Sequence, residues 1–234
     1  MSITENVGIV MDRIARAAER AGRRGDDIKL VAATKTVPVE AIQEAIAAGV
    51  SIIGENRVQE LIKKAPLLPR GIEMHMIGRL QANKAKKALE YCSMIQSLDR
   101  LSLAEELSRR AKVLGKEARV LVEVNVGREE NKGGVDPDLG TLEDFLERIS
   151  RLGGLSVEGL MAIPPLTSDP EEVRPFFRRL RELRDALADR VTLPGIALRE
   201  LSMGMSADFE IAIEEGATMV RIGTALFGRR PPYA

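Results

Sequence analysis

The chain has 234 residues, with 35 lysine or arginine and 35 aspartate or glutamate side chains, so its formal net charge is zero. That balance leaves no long-range field to recruit nucleic acid or an anionic membrane. The single cysteine, Cys92, has no internal partner for a disulfide, no stretch approaches a membrane span, and the N-terminus lacks the apolar run of a signal peptide, so the composition predicts one cytoplasmic domain over residues 1–234.

In chain order, Val7, Val10, Met11, Ile14 and Ala18 recur at helical spacing over residues 4–22 and predict an amphipathic helix ahead of the first strand. The run Leu30-Val31-Ala32-Ala33-Thr34-Lys35-Thr36 reads as that strand, and its period of two puts Val31, Ala33 and Lys35 on one face. Pro38 starts a helix that Gly49 stops, and residues 51–54 form a second strand. The alternation continues with helix 56–65, strand 74–78, helix 82–91, strand 94–97, helix 101–114 and strand 119–126. A long loop, 127–137, suggests a working segment before helix 139–151. Strand 156–162, helix 171–188, strand 200–203, helix 207–215 and strand 218–222 complete the series. Regular β–α alternation implies right-handed crossovers and a parallel sheet. Eight such units close naturally into a single (β/α)8 barrel of the TIM type with an extra N-terminal helix; an open doubly wound sheet is the competing arrangement.

If the strand-one face lines the inside of a closed sheet, Lys35 sits at the mouth of a narrow interior. A desolvated amine there is a nucleophile suited to Schiff-base formation with a carbonyl. The competing reading is a surface lysine just past a strand end. In a β/α barrel, phosphate is often held by the loops after strands seven and eight. Here those loops read Leu201-Ser202-Met203-Gly204-Met205-Ser206 and Val220-Arg221-Ile222-Gly223-Thr224-Ala225, each pairing glycine with a hydroxyl; Ser206 doubles as a candidate helix cap. Arg221 adds a permanent cation, with an ion pair to Glu200 or Glu123 as its structural alternative. His75 stands without a cluster of Cys or carboxylates, so no metal site is expected, and it reads as a packed, hydrogen-bonded histidine near the barrel mouth. Gly54-Glu55-Asn56 and Gln81-Ala82-Asn83-Lys84 supply amides and charges after strands two and three, or simply cap helices, and Lys84, Lys86 and Lys87 read as a solvated face. A Schiff-base lysine after strand one and a phosphate cup after strands seven and eight together describe pyridoxal phosphate, an aldehyde with a phosphate tail.

These segments, with Val58-Gln59-Glu60, His75-Met76-Ile77-Gly78 and Gly159-Leu160-Met161-Ala162-Ile163-Pro164, closely resemble the pyridoxal phosphate homeostasis protein family, also known as the proline synthase co-transcribed homologues, from about residue 29 to 228. The resemblance implies a single barrel similar to the N-terminal domain of alanine racemase, with pyridoxal 5'-phosphate bound as an aldimine on Lys35. It further implies that Ser202, Gly223 and Thr224 hold the phosphate, that Arg221 faces the pyridine nitrogen, and that Asn56, His75 and Asn83 line the pocket. Two positions depart from the family. Arg57 stands where an aromatic residue is usual and Val37 where several relatives have a second lysine; both bear on how cofactor is loaded and released, and Lys132 matches a family lysine that, by the resemblance, would serve at that rim.

The implied function is to buffer and distribute the cofactor to apoenzymes, as a monomer or weak dimer, without efficient catalysis. An amino-acid racemase of the same fold type is the alternative. Racemisation needs a base on each face of the substrate Cα. Lys35 supplies one, whereas the second, by resemblance a tyrosine from a C-terminal domain, is not expected here: the chain runs only eleven residues past Gly223, and its tyrosines are Tyr91 and Tyr233. A Schiff-base aldolase, using Lys35 without a cofactor, is a third class by fold analogy alone.

Overall fold

A computed structural model describes residues 1–228; Tyr233 lies outside the described residues. Helix α1 (Ile3–Arg20) opens with a capping box, in which Ser2 Oγ accepts from the Glu5 N–H and the Glu5 carboxylate accepts from the Ser2 N–H at 2.7 Å. Its apolar stripe (Val7, Val10, Ile14, Ala17, Ala18) is buried. Across the seam between the last and first units, Arg13 pairs with Glu210 at 2.8 Å and Asn6 Nδ2 donates to Leu226 O at 2.9 Å.

The predicted units are all present. Strands β1 (Lys29–Ala33), β2 (Ile52–Glu55), β3 (Glu73–Met76), β4 (Met94–Leu98), β5 (Ala118–Glu123), β6 (Leu155–Met161), β7 (Ile196–Ser202) and β8 (Met219–Ile222) pair in parallel in sequence order and close into a barrel. Helices α2 (Val39–Ala47), α3 (Val58–Lys64), α4 (Ala85–Tyr91), α5 (Leu101–Val113), α6 (Leu139–Ser150), α7 (Arg174–Arg190) and α8 (Phe209–Glu214) follow the first seven strands, and a short α9 (Thr224–Phe227) follows β8. Outward-facing strand residues such as Ile53, Val120, Leu160 and Val220 pack with the helices in the main core. Inward-facing Val31, Ile52, Ile77, Met94, Leu121, Met161 and Met219 form a second, smaller core inside the barrel. Strands β6 and β7 approach so closely that a Cβ at Gly159 would lie 1.9 Å from Glu200 O, which only glycine permits.

Among the boundaries that differ from the sequence pattern, three stand out. The first strand ends at Ala33, so Lys35 lies on the connection beyond it. The fifth ends at Glu123, with Val124 bridging to Val135 in the long loop. The seventh begins at Ile196, well before residue 200, because Leu198 at φ 49° and the register shift between Val157 and Gly159 break the alternation that marks a strand.

Strand parity also sets charged residues inward at the N-terminal ends of the strands. Lys29 Nζ lies 2.5 Å from Glu200 Oε1, Thr218 Oγ1 donates to Glu200 Oε2 at 2.5 Å, and Arg119 pairs with Glu158 at 2.5 Å and Glu73 at 3.7 Å.

Candidate functional site

At the opposite end, where the strands finish, a cavity of 360 Å³ opens between the loops after β1 and β2 and those after β7 and β8. Lys35, Asn56, Ser206, Arg221, Gly223 and Thr224 are among the residues that line it.

The segment carrying Lys35 is fixed from behind by a buried ion cluster. Lys64 Nζ, on α3, donates to Thr34 O at 2.7 Å, Glu55 Oε1 at 2.7 Å and Glu60 Oε2 at 2.8 Å. Thr34 Oγ1 also donates to Glu55 Oε1 at 2.6 Å, and the Thr36 N–H to Glu60 Oε2 at 2.8 Å. These bonds clamp both neighbours of Lys35 and hold Thr36 at φ 62°, a conformation that a β-branched residue adopts only under constraint. Glu55 is fully buried, and burial pushes its carboxyl above the usual range against the opposing hydrogen bonds from Lys64 and Thr34. Its Oε2 has no hydrogen-bond partner among the described residues.

Across the cavity, two loops are stitched together. Gly204 takes φ 93°, and a Cβ there would lie 2.6 Å from Ala212 Cβ on α8, so the turn requires glycine. Gly204 O accepts the Arg221 N–H at 2.9 Å. Ser206 Oγ accepts both the Gly223 N–H at 3.3 Å and the Ala225 N–H at 3.2 Å. Two backbone donors therefore converge on the Ser206 hydroxyl beside the exposed Thr224, the grouping of N–H donors from which an anion-binding cradle is built. The cradle, the lysine and a volume in the range of small-ligand pockets fit a compact phosphorylated aldehyde.

Arg221 forms the floor. Its guanidinium is 4 % exposed and donates to Ser202 Oγ at 2.6 Å and Ala162 O at 2.9 Å. Burial lowers it to about 10, with Glu123 and Asp208 opposing the shift, so it stays cationic at neutral pH. Beneath it a single polar chain runs down the barrel. Ser202 Oγ donates to Gln96 Oε1 at 2.7 Å, Gln96 Nε2 lies 2.9 Å from His75 Nδ1, and His75 Nε2 lies 3.4 Å from Glu73 Oε2. With every donor pointing downward, Gln96 donates to Nδ1 and the imidazole proton sits on Nε2, facing Glu73. The His75 hydrogen bond holds the Glu73 carboxyl down at about 2.

Of the residues singled out from sequence, Lys35, Asn56, Arg221, Gly223 and Thr224 meet at the cavity. Ser202 is not among the residues lining it: its hydroxyl is taken by Arg221 and Gln96, whereas Ser206, which the sequence offered as a loop hydroxyl and a helix cap, does line it. His75 is packed and hydrogen-bonded as expected, but inside the barrel rather than at its mouth, because Ile77, two residues on, occupies the layer above. Asn83 is exposed in a 3-10 turn and also lies outside the cavity. The alternative reading of Arg221, an ion pair to Glu200 or Glu123, does not form, since Glu200 is committed to Lys29 and Thr218 and Glu123 lies beyond pairing distance. Val37 is in the core, Arg57 is exposed, and Lys132 pairs with Glu129 and donates to Pro164 O at 3.3 Å. Lys86 and Lys87 both face Glu90 on an open helix surface. Among the described residues no group of His, Cys, Asp and Glu is placed to hold a metal, and no helix is long and apolar enough to cross a membrane. The roles of Gln96, Glu55 and Lys64 were not read from the sequence; the parity of Gln96 with inward-facing Met94 is the one signal that pointed to any of them.

The family model described as the alanine racemase N-terminal domain matches residues 9–231. A pyridoxal phosphate homeostasis protein of Aquifex aeolicus is 51% identical over 231 residues, covering 98% of this chain and 99% of that one. Among solved structures, an unknown protein from Bifidobacterium adolescentis superposes with a TM-score of 0.90 at 43% identity, covering 96% of this chain and 94% of its own. PipY of Synechococcus elongatus, solved with PLP bound, superposes with a TM-score of 0.78 at 38% identity, covering 92% of this chain and 100% of that one.

Proposed function

Because the chain belongs to the pyridoxal phosphate homeostasis protein family, we propose that it binds pyridoxal 5'-phosphate through Lys35 and buffers and hands on that cofactor rather than turning over a substrate. The observation that carries this reading is the pairing, in one cavity, of Lys35 with Ser206, Gly223 and Thr224, where the N–H groups of Gly223 and Ala225 converge on Ser206 Oγ. When bound, the cofactor supplies an aldehyde for an amine and a conjugated ring able to take up electrons.

The chain's own residues define what is done with it. The Lys64 cluster orients the Lys35 segment. Ser206, Thr224 and the two backbone donors receive the phosphate, and Asn56 closes the side wall. Ser202, Gln96 and His75 act from below by holding Arg221 in place. The Arg221 guanidinium presents a fixed positive charge to the cavity, which disfavours a second positive charge on any ring nitrogen set against it and so weakens the ring as an electron sink.

Racemisation is the second reading, favoured by the alanine racemase domain match. It needs a proton donor on each face of a bound amino acid; Lys35 offers one, and among the described residues no tyrosine lines the cavity, Tyr91 lying at the end of α4. The recipients are apoenzymes in the cytoplasm, met by a monomer or weak dimer.

The purified protein, incubated with pyridoxal phosphate, is expected to gain a visible absorption band, to release the cofactor to an apoenzyme in trans, and to exchange the Cα hydrogen of added amino acids with deuterium slowly or not at all. Rapid exchange with inversion would make it an enzyme and overturn the carrier reading.

A further inference from the structure

A larger cleft of 710 Å³ adjoins the cofactor cavity, shares Asn56 with it, and lies between the loops after β2, β3 and β4. Arg57, Arg79, Lys84 and Arg100 line it, and no carboxylate does. The nearest acid, Asp99, is 9% exposed and is shared by Arg79 and Arg100, so one negative charge serves two guanidiniums. Arg100 is anchored further by donating to Leu80 O at 2.9 Å. Glu60 interacts electrostatically with Arg57 while also accepting from Lys64 Nζ and the Thr36 N–H.

Lys84 is half-buried, and among the described residues it makes no salt bridge or side-chain hydrogen bond that would turn it outward. Its neighbours Lys86 and Lys87 behave differently, both pairing with Glu90 on the outer face of α4. A chain with zero net charge has thus gathered four cations around one concavity whose lining, among the described residues, holds no carboxylate.

The chemistry of this wall selects its ligand. Guanidiniums present forked N–H donors that match phosphate oxygens, and the local excess of positive charge suits a dianion or a more highly charged anion. The volume suits a small molecule, and among the described residues the lining offers no aromatic face for a base, which argues against single-stranded nucleic acid.

We propose that this cleft is a second anion site that takes a small phosphate ester or diphosphate, separate from the cradle that β7 and β8 build across the barrel mouth. Ligands in the two sites would meet at Asn56.

The test is calorimetric titration of inorganic pyrophosphate into the full chain already saturated with pyridoxal phosphate, with the visible band followed in parallel. One saturable site is expected, with the band unchanged. The double variant R57Q/K84Q should bind pyrophosphate about ten to a hundred times more weakly, the loss expected from hydrogen bonds to charged groups. K86Q/K87Q removes the same charge from the adjacent surface and should leave the affinity within about twofold, as screened exposed charges do. Thermal unfolding confirms that each variant is folded, and R79Q, altering a side chain that is 69% exposed, supplies an independent weakening. Absence of saturable binding, equal losses in the two double variants, or loss of the visible band on adding pyrophosphate would overturn the proposal.

Discussion

The two ends of the barrel interior are both charged, and they use charge in opposite ways. At the N-terminal ends of the strands, inward-facing lysine and arginine are matched to carboxylates: Lys29 to Glu200, and Arg119 to Glu158 and Glu73. At the C-terminal ends, Arg221 is held by a hydroxyl and a carbonyl, with no carboxylate in pairing distance among the described residues, and it faces a cavity beside Lys35. A matched pair has little left with which to attract a ligand. A buried cation held only by neutral groups keeps its field, and in this fold that end is where chemistry is placed. The Glu73–His75–Gln96–Ser202 chain joins the ends, carrying the anchoring of Arg221 down to the paired floor.

The comparison breaks most readily at Lys64, a buried cation at the functional end that is matched to Glu55 and Glu60. Lys64→Met would leave the Glu55 carboxylate buried without its partner and is expected to cost on the order of 3 kcal/mol in urea unfolding. The sign with pH follows from Glu55. Its folded carboxyl lies above the ordinary range and rises further without Lys64, so the penalty builds as pH rises from the ordinary carboxylate range to that raised value, is complete above it, and is relieved as pH falls. The variant should therefore be closer to wild type at pH 5 than at pH 8. A destabilisation independent of pH would mean that Glu55 is not the group left exposed to the loss.

Thr224→Val sharpens the functional side. Removing one hydroxyl beside the Ser206 cradle is expected to lower cofactor affinity by about 1–3 kcal/mol with little change in unfolding. Pyridoxal without its phosphate should bind far more weakly than the ester, and equal affinity for the two would remove the cradle's role.

The N-terminal end should respond in the reverse manner. Glu200→Gln is expected to cost up to about 1 kcal/mol of stability, since Lys29 is partly exposed, and to leave cofactor affinity unchanged. The smallest effect belongs to Glu73. Its carboxyl, held at about 2, contributes stability above the ordinary carboxylate range that is lost as pH falls through about 4 toward 2. Glu73→Gln should flatten that part of the acid-unfolding curve, the half-exposed side chain keeping the change modest.

Much of this contrast was legible before any coordinates. The β–α alternation gave eight units, and barrel closure then put Lys35 and the β7 and β8 loops at one end. The period of two along β8 puts Arg221 on the same inner face as Met219. What stayed hidden depends on contacts between segments. Lys64 reads as one more basic residue at a helix end until α3 folds it onto Glu55 and Thr34. Ser202 and Ser206 are equivalent by composition, and only the turn at Gly204 separates the one that anchors Arg221 from the one that meets the backbone donors. Asn83 and His75 belong to motifs shared with the family, yet Asn83 folds outward and His75 lies below Ile77.

The most direct test of the functional end is chemical. The protein loaded with pyridoxal phosphate, reduced with borohydride and digested, is expected to yield one modified peptide carrying the label on Lys35, and Lys35→Ala should lose both the label and the visible band while remaining folded. A label on any other lysine, or a stable adduct in the Lys35→Ala protein, would contradict the assignment of Lys35 as the residue that holds the cofactor.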